Sequence, residues 1–388
     1  MNNQSSHILF RQAHNYGFID MLKATFALFL ALVSSVIFAD SASLKTISKA
    51  IESNYIDLDR TDGPGCSVGY ARNGVLIYQR QFGMANLEHN IPIDSTTVFR
   101  IGSTSKQFVA TSIAMLSLQG KLDLDDDIHT VLPDLPDYGQ PVTIRQMVNH
   151  SSGIQDYMPI LAALYGNLDG NFHLGEDILR YLYRLNRLDF EPGSQYAYSN
   201  SAYILLAQAV EAVSGQTMRE FAEENIFKPL EMHNTHFHDN HRELVKHRAD
   251  GYLNIDGQWQ KHNTNLEIVG DGGVFSTIED LVTWYNNFTD NRLLGGTQLV
   301  KILTTPAAYT EGQAKYRTWP TKYSFGNMYL KFGGKTLFGH SGGFVGFVSA
   351  PYRIQETNEI MVSLCNYKFK GNVNRVFDTV EKIYRDSK

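Results

Sequence analysis

Strand-like segments stand at both ends of this chain, and helical segments fill the stretch between them. Two apolar runs, 66–71 and 75–82, are joined by Arg72-Asn73-Gly74, a signal for a tight hairpin. Further strand-like runs follow Tyr323, at 325–332, 335–338, 343–350 and 359–366. Because an antiparallel sheet can take its strands from distant parts of a chain, this order predicts one sheet assembled from both chain ends.

The stretch between the strand-like ends has the spacing of helices joined by loops. Apolar residues recur at helical intervals in 107–118, 178–185, 201–213, 218–225 and 277–288. Terminal helices are predicted at 44–57 and after residue 372, where the apolar residues form one face. We expect an α+β fold in a single domain, 42–388, with an α/β layer from 44–102 and 323–388 and a mainly helical region inserted at 103–300.

Composition supports a large buried core and argues against two kinds of partner. Of the 388 residues, 43% are hydrophobic and 12% are aromatic, which is typical of a globular protein. The formal net charge is −6, and like charges do not cluster in long runs. The chain therefore has no basic patch that would predict binding to nucleic acid or to an anionic membrane surface.

The first residues of the chain have the pattern of an export signal. Lys23 precedes an apolar stretch at 24–38, and Ala39-Asp40-Ser41-Ala42 offers small residues for cleavage. We expect a signal peptide at 1–39, cleaved after Ala39 or Ser41, with Met21 as an alternative start. The mature protein is then periplasmic or secreted. A retained anchor is the alternative, but a spanning helix needs roughly 20 apolar residues, so membrane contact is expected only through this segment if it is not cleaved.

Two cysteines, Cys66 and Cys365, lie in strand-like segments near opposite ends of the chain. Export would place them in an oxidising compartment, where they can pair if their strands are neighbours. Cysteines in strands are frequently small buried hydrophobic residues with free thiols. We favour two buried thiols over a bridge.

The first motif that carries chemistry is Ser103-Thr104-Ser105-Lys106, at the start of the helix predicted over 107–118. Lys106 follows Ser103 by one turn on the same face, and the unpaired amides of a helix start favour negative charge. A serine hydroxyl becomes a nucleophile when its proton is removed, and a partly desolvated lysine amine can help to remove it. The alternative is a simple helix cap, a position that serine and threonine favour.

The second motif, Tyr198-Ser199-Asn200, directly precedes the helix predicted over 201–213. A tyrosine and an asparagine two residues apart can both face a cleft, where the tyrosine handles protons and the asparagine amide binds a substrate carbonyl. Packing and capping are the alternative roles of these residue types before a helix.

The third motif is Gly339-His340-Ser341-Gly342-Gly343, followed by a strand-like run. The amides of Gly343 and Ser103 can together form an oxyanion hole. The same string matches the nucleophile elbow of α/β-hydrolases, with Ser341 as the nucleophile. That interpretation fails because the elbow requires a following helix and a later histidine, and His340 is the last histidine of the chain.

In this order, Ser103-x-x-Lys106, Tyr198-x-Asn200 and His340-x-Gly342 resemble the three motifs of the penicillin-recognising serine enzymes. The resemblance is closest to the branch that contains class C β-lactamases, serine D-alanyl-D-alanine carboxypeptidases, D-aminopeptidases and related esterases. It extends over nearly all of the mature chain, through segments at 108–132, 143–154, 227–230 and 272–277. It implies the β-lactamase/transpeptidase-like fold.

The resemblance also implies a role for each motif residue. Ser103 is the acylated nucleophile, Lys106 and Tyr198 share its activation and protonate the leaving group, and Asn200 orients the substrate. The remaining expected substrate-binding residues are His340, Gly342 and Gly343. We expect a small-molecule or peptide substrate, including cell-wall peptide, and no cofactor.

His340 departs from the β-lactamase pattern, which usually has a lysine at this place. A lysine keeps a positive charge near the substrate carboxylate, whereas a histidine with an ordinary pKa of ~6.5 is mostly neutral at pH 7. This favours an exported serine hydrolase of a D-amino peptide or an ester. A β-lactamase, or a penicillin-binding or sensing protein with little turnover, is the alternative.

The sequence offers a few further candidates for functional roles. His150 and Asp271 are the next candidates for the site, and His150 is expected to be a structural loop residue. The stretch 155–173 is expected to form a lid. The histidines at 233, 236, 238, 241 and 247 match no zinc spacing, and the chemistry needs no metal, so we expect no metal site.

Overall fold

The computed structural model describes residues 43–165, 175–307, 322–368 and 371–385. The expected export signal at 1–39 and the part of the expected lid after residue 165 lie outside these residues. Within the described ranges, no helix has both the length and the apolar character needed to cross a membrane.

The described residues form strands and helices in the predicted order. The strands are β1 Cys66–Arg72, β2 Val75–Phe82, β3 Met84–Asn86, β4 Ile91–Pro92, β5 Phe99–Arg100, β6 His236–Phe237, β7 Tyr252–Ile255, β8 Gln258–Lys261, β9 Val274–Ser276, β10 Lys322–Ser324, β11 Asn327–Phe332, β12 Lys335–Gly339, β13 Gly342–Phe344, β14 Phe347–Ser349, β15 Tyr352–Ile354 and β16 Glu359–Cys365. The helices are α1 Leu44–Tyr55, α2 Lys106–Leu118, α3 Ile144–Val148, α4 Tyr157–Tyr165, α5 Gly175–Leu182, α6 Asn200–Ser214, α7 Met218–Ala222, α8 Ile278–Asp290, α9 Gly296–Thr304 and α10 Asn372–Arg385.

The main sheet joins the two ends of the chain. Its strand order is β10-β11-β12-β15-β16-β1-β2, and the hairpin β13-β14 attaches to β16 through β14. Strand β1 pairs with β16 in antiparallel register from Cys66↔Cys365 to Arg72↔Glu359. The predicted α+β fold, with one antiparallel sheet built from both chain ends, is confirmed.

Two apolar cores lie on opposite faces of this sheet. Alternate residues of β16 separate into them: Ile360, Val362 and Leu364 belong to the core shared with the helical region. Met361 and Cys365 belong to the core beneath the terminal helices α1 and α10. This is the two-residue period of a strand buried on both faces, which explains why neighbouring residues at 360–362 are all apolar.

The cysteines form a disulfide, so our preference for two free thiols was wrong. Cys66 and Cys365 are direct cross-strand partners, and their sulfur atoms are bonded. The register that places them opposite each other is a tertiary property that neither strand's sequence encodes. The bridge spans 299 residues of sequence and so removes much conformational freedom from the unfolded chain. In the chain-entropy model, this raises the free energy of unfolding by roughly 5 kcal/mol.

Two predicted strands contain turns that the apolar pattern hides. The run at 343–350 is a hairpin, since Val345 and Gly346 both have positive φ, 31° and 70°, and separate β13 from β14. Likewise Phe325 and Gly326, with φ of 39° and 77°, separate β10 from β11. Buried apolar side chains at these turns, Val345 and Phe325, gave them the appearance of strand residues. The hairpin predicted at Asn73-Gly74 is confirmed, with the positive φ values of 50° and 76° that a tight turn requires.

Helix α2 occupies the centre of the molecule and carries the first motif. All its residues from Lys106 to Leu116 are buried, because it contacts helices α6, α7 and α9 on its sides. A helix that is buried all round has little amphipathic pattern. The position of the motif is therefore fixed by packing on several sides.

Candidate active site

Ser103 lies in a short 3₁₀ turn, Gly102–Ser105, that runs directly into helix α2. Lys106 is the first residue of the helix, and its Nζ lies 3.3 Å from Ser103 Oγ. The sequence prediction that Lys106 follows Ser103 on one face is confirmed. The tighter 3₁₀ turn, with three residues per turn, aligns residues i and i+3 and so brings the two side chains together.

The Lys106 ammonium is buried among acceptors. Besides Ser103 Oγ, it donates to Asn200 Oδ1 at 2.8 Å and to the Asp271 carbonyl oxygen at 2.6 Å. Burial lowers the pKa of Lys106 to about 8, and the negative charges of Asp271 and Asp156 oppose this shift. A lysine with this pKa can lose its proton near neutral pH and accept one from the serine hydroxyl.

Tyr198 lies beside this pair, with its ring centroid 4.8 Å from Lys106 Nζ. Its hydroxyl is buried and has no ordinary hydrogen-bond partner among the described residues. Burial holds the pKa of Tyr198 well above its ordinary value, and the Ser103 hydroxyl opposes that shift. The phenol is therefore protonated at neutral pH and can supply a proton.

His340 is a neutral imidazole in this site. Its Nδ1 lies 2.6 Å from the Ser341 carbonyl oxygen, which can only accept, so Nδ1 carries the proton. Nε2 is buried and has no partner among the described residues. Burial, assisted by the charge of Lys106, lowers the pKa of His340 to about 3. The residue therefore brings no positive charge where β-lactamases usually have a lysine.

Strand β13 packs against the nucleophile turn and brings two amides to one cavity. A Cβ atom at Gly342 would lie 2.8 Å from Ser103 N and closer still to the Ile101 carbonyl, so only glycine fits this approach. Gly343, the next residue, is exposed and lines the cavity together with Ser103. The geometry agrees with the predicted oxyanion hole, in which the Ser103 and Gly343 amides face one acceptor.

Buried hydroxyl groups hold this contact in place, and sequence reasoning missed them. Thr104 Oγ1 donates to the His340 carbonyl oxygen at 2.8 Å, and it also lies 2.7 Å from Ser349 Oγ. Ser349 in turn donates to the Ile101 carbonyl oxygen at 2.7 Å. These bonds join the turn that carries Ser103 to the connection between β12 and β13 and to β14.

Asn200 is oriented by a residue that the sequence did not single out. Its Nδ2 donates to Asp156 Oδ2 at 2.9 Å, while its Oδ1 accepts from Lys106. Asp156 Oδ1 accepts the Met158 amide at 3.0 Å, which caps the start of helix α4. An aspartate directly before an apolar helix is a capping signal. This is the one local signal that could have drawn attention to Asp156.

His150 has the structural role that was expected. It is fully buried behind Tyr198, with the two ring centroids 4.3 Å apart. Its Nδ1 accepts the Ser199 amide at 3.1 Å, so the proton is on Nε2, which lies 3.0 Å from the Tyr323 hydroxyl. Burial, with the charge of Lys106, keeps the pKa of His150 well below its ordinary value. His150 therefore fixes the ring of Tyr198.

The site opens into a cavity of about 230 Å³. Of the predicted residues, Ser103, Tyr198, Asn200 and Gly343 line it. Lys106, His340 and Gly342 are buried behind its wall. Direct substrate contact by His340 and Gly342 stays a prediction.

The cavity also has a charged wall that was only partly predicted. Asp271, one of the expected candidates, lines it and accepts a hydrogen bond from the Tyr157 hydroxyl at 2.9 Å. Burial raises the pKa of Asp271, and the positive charge of Lys106 opposes the shift. Arg100, which was missed, also lines this wall. A charged residue between the apolar Phe99 and Ile101, three residues before the nucleophile, was the available signal.

The histidines at 236, 238 and 241 have separate partners. The ring of His236, in β6, contacts the ring of His238, which directly follows the strand. His241 is hydrogen-bonded to Glu267. Within the described ranges, no group of three or more histidine, cysteine or acidic side chains could hold a metal ion.

Sequence and structure comparisons agree with this geometry. A sequence model of the Beta-lactamase family matches residues 50–379. A D-aminopeptidase from Brucella anthropi is 27% identical over 343 residues, which make up 87% of this chain and 61% of that protein. The chain thus spans about three fifths of the length of such curated relatives.

Solved structures share the fold. A penicillin-binding protein homologue from Pyrococcus abyssi, described as octameric, superposes with a TM-score of 0.73 at 23% identity, covering 89% of this chain and 77% of that one. A D-amino acid amidase from Ochrobactrum anthropi SV3, solved with L-phenylalanine amide, gives a TM-score of 0.72 at 24% identity, covering 88% and 99%. The family model spans most of the chain and includes all three motifs, so this chain belongs to the Beta-lactamase family.

Proposed function

We propose that the chain is an exported serine hydrolase that acylates Ser103 and acts on a D-amino peptide, amide or ester. One observation carries the proposal: the Lys106 amine is buried, has a pKa of about 8 and lies 3.3 Å from Ser103 Oγ. A lysine held in this way beside a serine hydroxyl is the arrangement that activates a serine nucleophile.

The proposed acylation uses the Ser103 hydroxyl, the Lys106 amine, the Tyr198 phenol and two backbone amides. The neutral Lys106 amine accepts the Ser103 proton as Oγ attacks the substrate carbonyl. The Ser103 and Gly343 amides stabilise the negative oxygen of the tetrahedral intermediate. Tyr198 then donates its proton to the leaving nitrogen or oxygen as the carbon bond to that atom breaks, and it recovers a proton from Lys106. The product is an ester of Ser103, with the leaving group released in protonated form.

Deacylation uses the same groups in the reverse direction. Water attacks the ester carbonyl and gives its proton to the neutral Lys106 amine, which lies beside Tyr198. The tetrahedral intermediate collapses, the carbon bond to Ser103 Oγ breaks, and Oγ takes the proton back. Asn200, held by Asp156 at 2.9 Å, keeps an amide edge at the cavity wall for the substrate.

Two observations favour D-amino substrates over β-lactams. The relatives named above are a D-aminopeptidase and a D-amino acid amidase. His340 is uncharged, since its pKa is about 3, so the position that usually holds the carboxylate of a β-lactam offers no cation. An amide or ester without a carboxylate on its leaving group suits this side of the site better.

The decisive experiment measures turnover of D- and L-alanine p-nitroanilides by the mature protein beside its Ser103→Ala variant. We expect the D-isomer to be hydrolysed at least about tenfold faster than the L-isomer, and Ser103→Ala to reduce the rate by about 10³-fold or more. Equal rates for both isomers would reject the D-amino specificity. A penicillin consumed faster than the anilides would favour the β-lactamase alternative, and a stable penicilloyl adduct without turnover would favour a penicillin-binding role.

Export is the second part of the proposal. The disulfide between Cys66 and Cys365 supports it, because such bonds persist mainly outside the reducing cytosol. The intact mass of protein recovered from a bacterial periplasm should correspond to a chain that begins at Asp40 or Ala42. An unprocessed chain retained in the cytosol would reject this part of the proposal.

A further inference from the structure

Arg100 is a buried cation in the wall of the reaction cavity. It lies in β5, and only 4% of its surface is exposed. Within the described ranges its guanidinium has no hydrogen bond, and Nε is buried without a partner. Burial lowers the pKa of Arg100 to about 10, so it stays charged at neutral pH. Arg100 also lines the cavity, and a buried donor without a partner, such as its Nε, costs roughly 1–3 kcal/mol.

Nearby carboxylates do not neutralise this charge by direct contact. Asp271 attracts Arg100 at longer range, but its carboxylate is bonded to Tyr157 instead. Asp156 is occupied by Asn200 and by the Met158 amide. The acidic side chains nearest the cavity therefore already have other partners in the described part of the chain.

Two aromatic rings set the position of the guanidinium. Arg100 Cζ lies 5.7 Å from the ring centroid of Phe275 and 5.8 Å from that of Phe344. Cation–π contact of this kind stabilises by roughly 0.5–2 kcal/mol, but it supplies no hydrogen bond to the buried Nε. Stacking alone thus leaves the burial of Arg100 unexplained. It does orient the planar group, which is the condition for two-point binding of an anion.

The location decides which part of a substrate would meet this cation. Phe344 directly follows Gly343 in β13, so the ring that contacts Arg100 lies next to the predicted oxyanion hole. Met158, Leu266 and Ile268 complete this part of the cavity. An acyl group on Ser103 that extends toward Phe344 would meet Arg100, with an apolar stem against these residues.

We propose that Arg100 binds a carboxylate on the acyl part of the substrate, so that the site prefers an acyl group with an acidic side chain, such as D-glutamyl or D-aspartyl. The proposal rests on the proposed function of the Ser103 site. A planar guanidinium pairs with a carboxylate through two parallel hydrogen bonds. Such an acyl group supplies the anion that Arg100 lacks, while its CH₂ groups contact the apolar wall.

The test compares two D-amino acid amides that differ only at the end of the side chain, D-glutamic acid α-amide and D-glutamine α-amide. Binding of each is measured by calorimetry on the Ser103→Ala variant, which cannot turn them over. We expect the glutamic acid amide to bind tighter by a factor on the order of ten or more, as a charged, two-point hydrogen bond provides. Arg100→Gln in the same background should reduce this ratio to within about twofold.

Each outcome decides the proposal. Equal binding of the two amides in the Ser103→Ala variant overturns it, and so does a preference that persists in Arg100→Gln, because a purely structural Arg100 would affect both amides alike. If Arg100→Gln does not fold, as judged by its thermal unfolding, Arg100→Lys replaces it. A lysine keeps the charge but cannot form two parallel hydrogen bonds, so the ratio of the two affinities should fall but stay above one. Unchanged preference in Arg100→Lys then overturns the two-point contact.

The binding measurement is separate from the test of the proposed function. Absence of Ser103-dependent ammonia release from both amides by the unmodified protein would count against the proposed hydrolysis. The binding ratio in the Ser103→Ala variant would still support or overturn the role of Arg100.

Discussion

Thr104 Oγ1 donates a hydrogen bond of 2.8 Å to the carbonyl oxygen of His340. This bond joins the turn of the nucleophile to the connection between β12 and β13, directly before the strand that carries the second predicted oxyanion amide. The two residues are 236 positions apart in sequence. The distance between the Ser103 and Gly343 amides therefore depends on a contact between the helical region and the C-terminal sheet.

Loss of this bond should impair catalysis more than stability. We expect Thr104→Val to lower kcat by roughly tenfold, because a small displacement of one oxyanion amide weakens transition-state binding. Thr111→Val is the matched control, since Thr111 is also fully buried in α2 and bonds to the Gln107 carbonyl oxygen at 2.7 Å. Steady-state kinetics and thermal unfolding of both variants check this. Equal kcat in the two variants would reject a positioning role for Thr104.

The pH dependence of kcat/KM should report Lys106. Only the neutral amine can accept the Ser103 proton, and the pKa of Lys106 is about 8, so kcat/KM should rise with pH through about 8. His340, with a pKa of about 3, stays neutral over this range and should not contribute. A rising limb near pH 6.5 that disappears in His340→Gln would contradict this assignment.

A charge at position 340 should change that profile. The charge of Lys106 lowers the pKa of His340, and the interaction is reciprocal, so a cation at 340 must lower the pKa of Lys106. We expect the rising limb of His340→Lys to move to lower pH, by about one unit. The neutral variant His340→Gln is the control and should keep the limb near its original position. A limb that stays in place in His340→Lys would mean that the new lysine is itself uncharged or distant.

The disulfide should be a major source of stability. Replacement of Cys66 and Cys365 by alanine should reduce the free energy of unfolding by roughly 5 kcal/mol, because the bridge closes a very long loop. Urea unfolding of the oxidised protein, the reduced protein and the double variant measures this. Both cysteines lie on the face of the sheet beneath α1 and α10, and neither lines the cavity, so kcat of the folded double variant should change little. Equal unfolding midpoints for the oxidised protein and the double variant would contradict the prediction.

The sequence predicted the parts of the site that local motifs encode. Ser103, Lys106, Tyr198 and Asn200 were expected together and do meet, since Lys106 Nζ contacts both Ser103 and Asn200. One antiparallel sheet with strands from both chain ends was also predicted, because strand-like runs stand at both ends of the chain. In each case a residue pattern of known spacing carried the information.

Other features depend on register and on tertiary contacts, which short patterns do not contain. The Cys66–Cys365 bond requires the exact pairing of β1 with β16, and the turn at Val345 was hidden because its side chain is buried. Arg100 was missed because its one local signal, a charge between the apolar Phe99 and Ile101, does not show which side chains share its cavity. The buried contacts of Thr104 likewise join residues that are far apart in the chain.

The central claim is that Ser103 becomes acylated during turnover. Its most direct test is mass spectrometry of protein quenched in acid while it turns over D-alanine p-nitrophenyl ester, followed by peptide mapping. We expect one D-alanyl group on the peptide that contains Ser103, and neither acylation nor enzymatic release of p-nitrophenol in Ser103→Ala. Turnover that persists in Ser103→Ala, with the acyl group on another residue or on none, would contradict it.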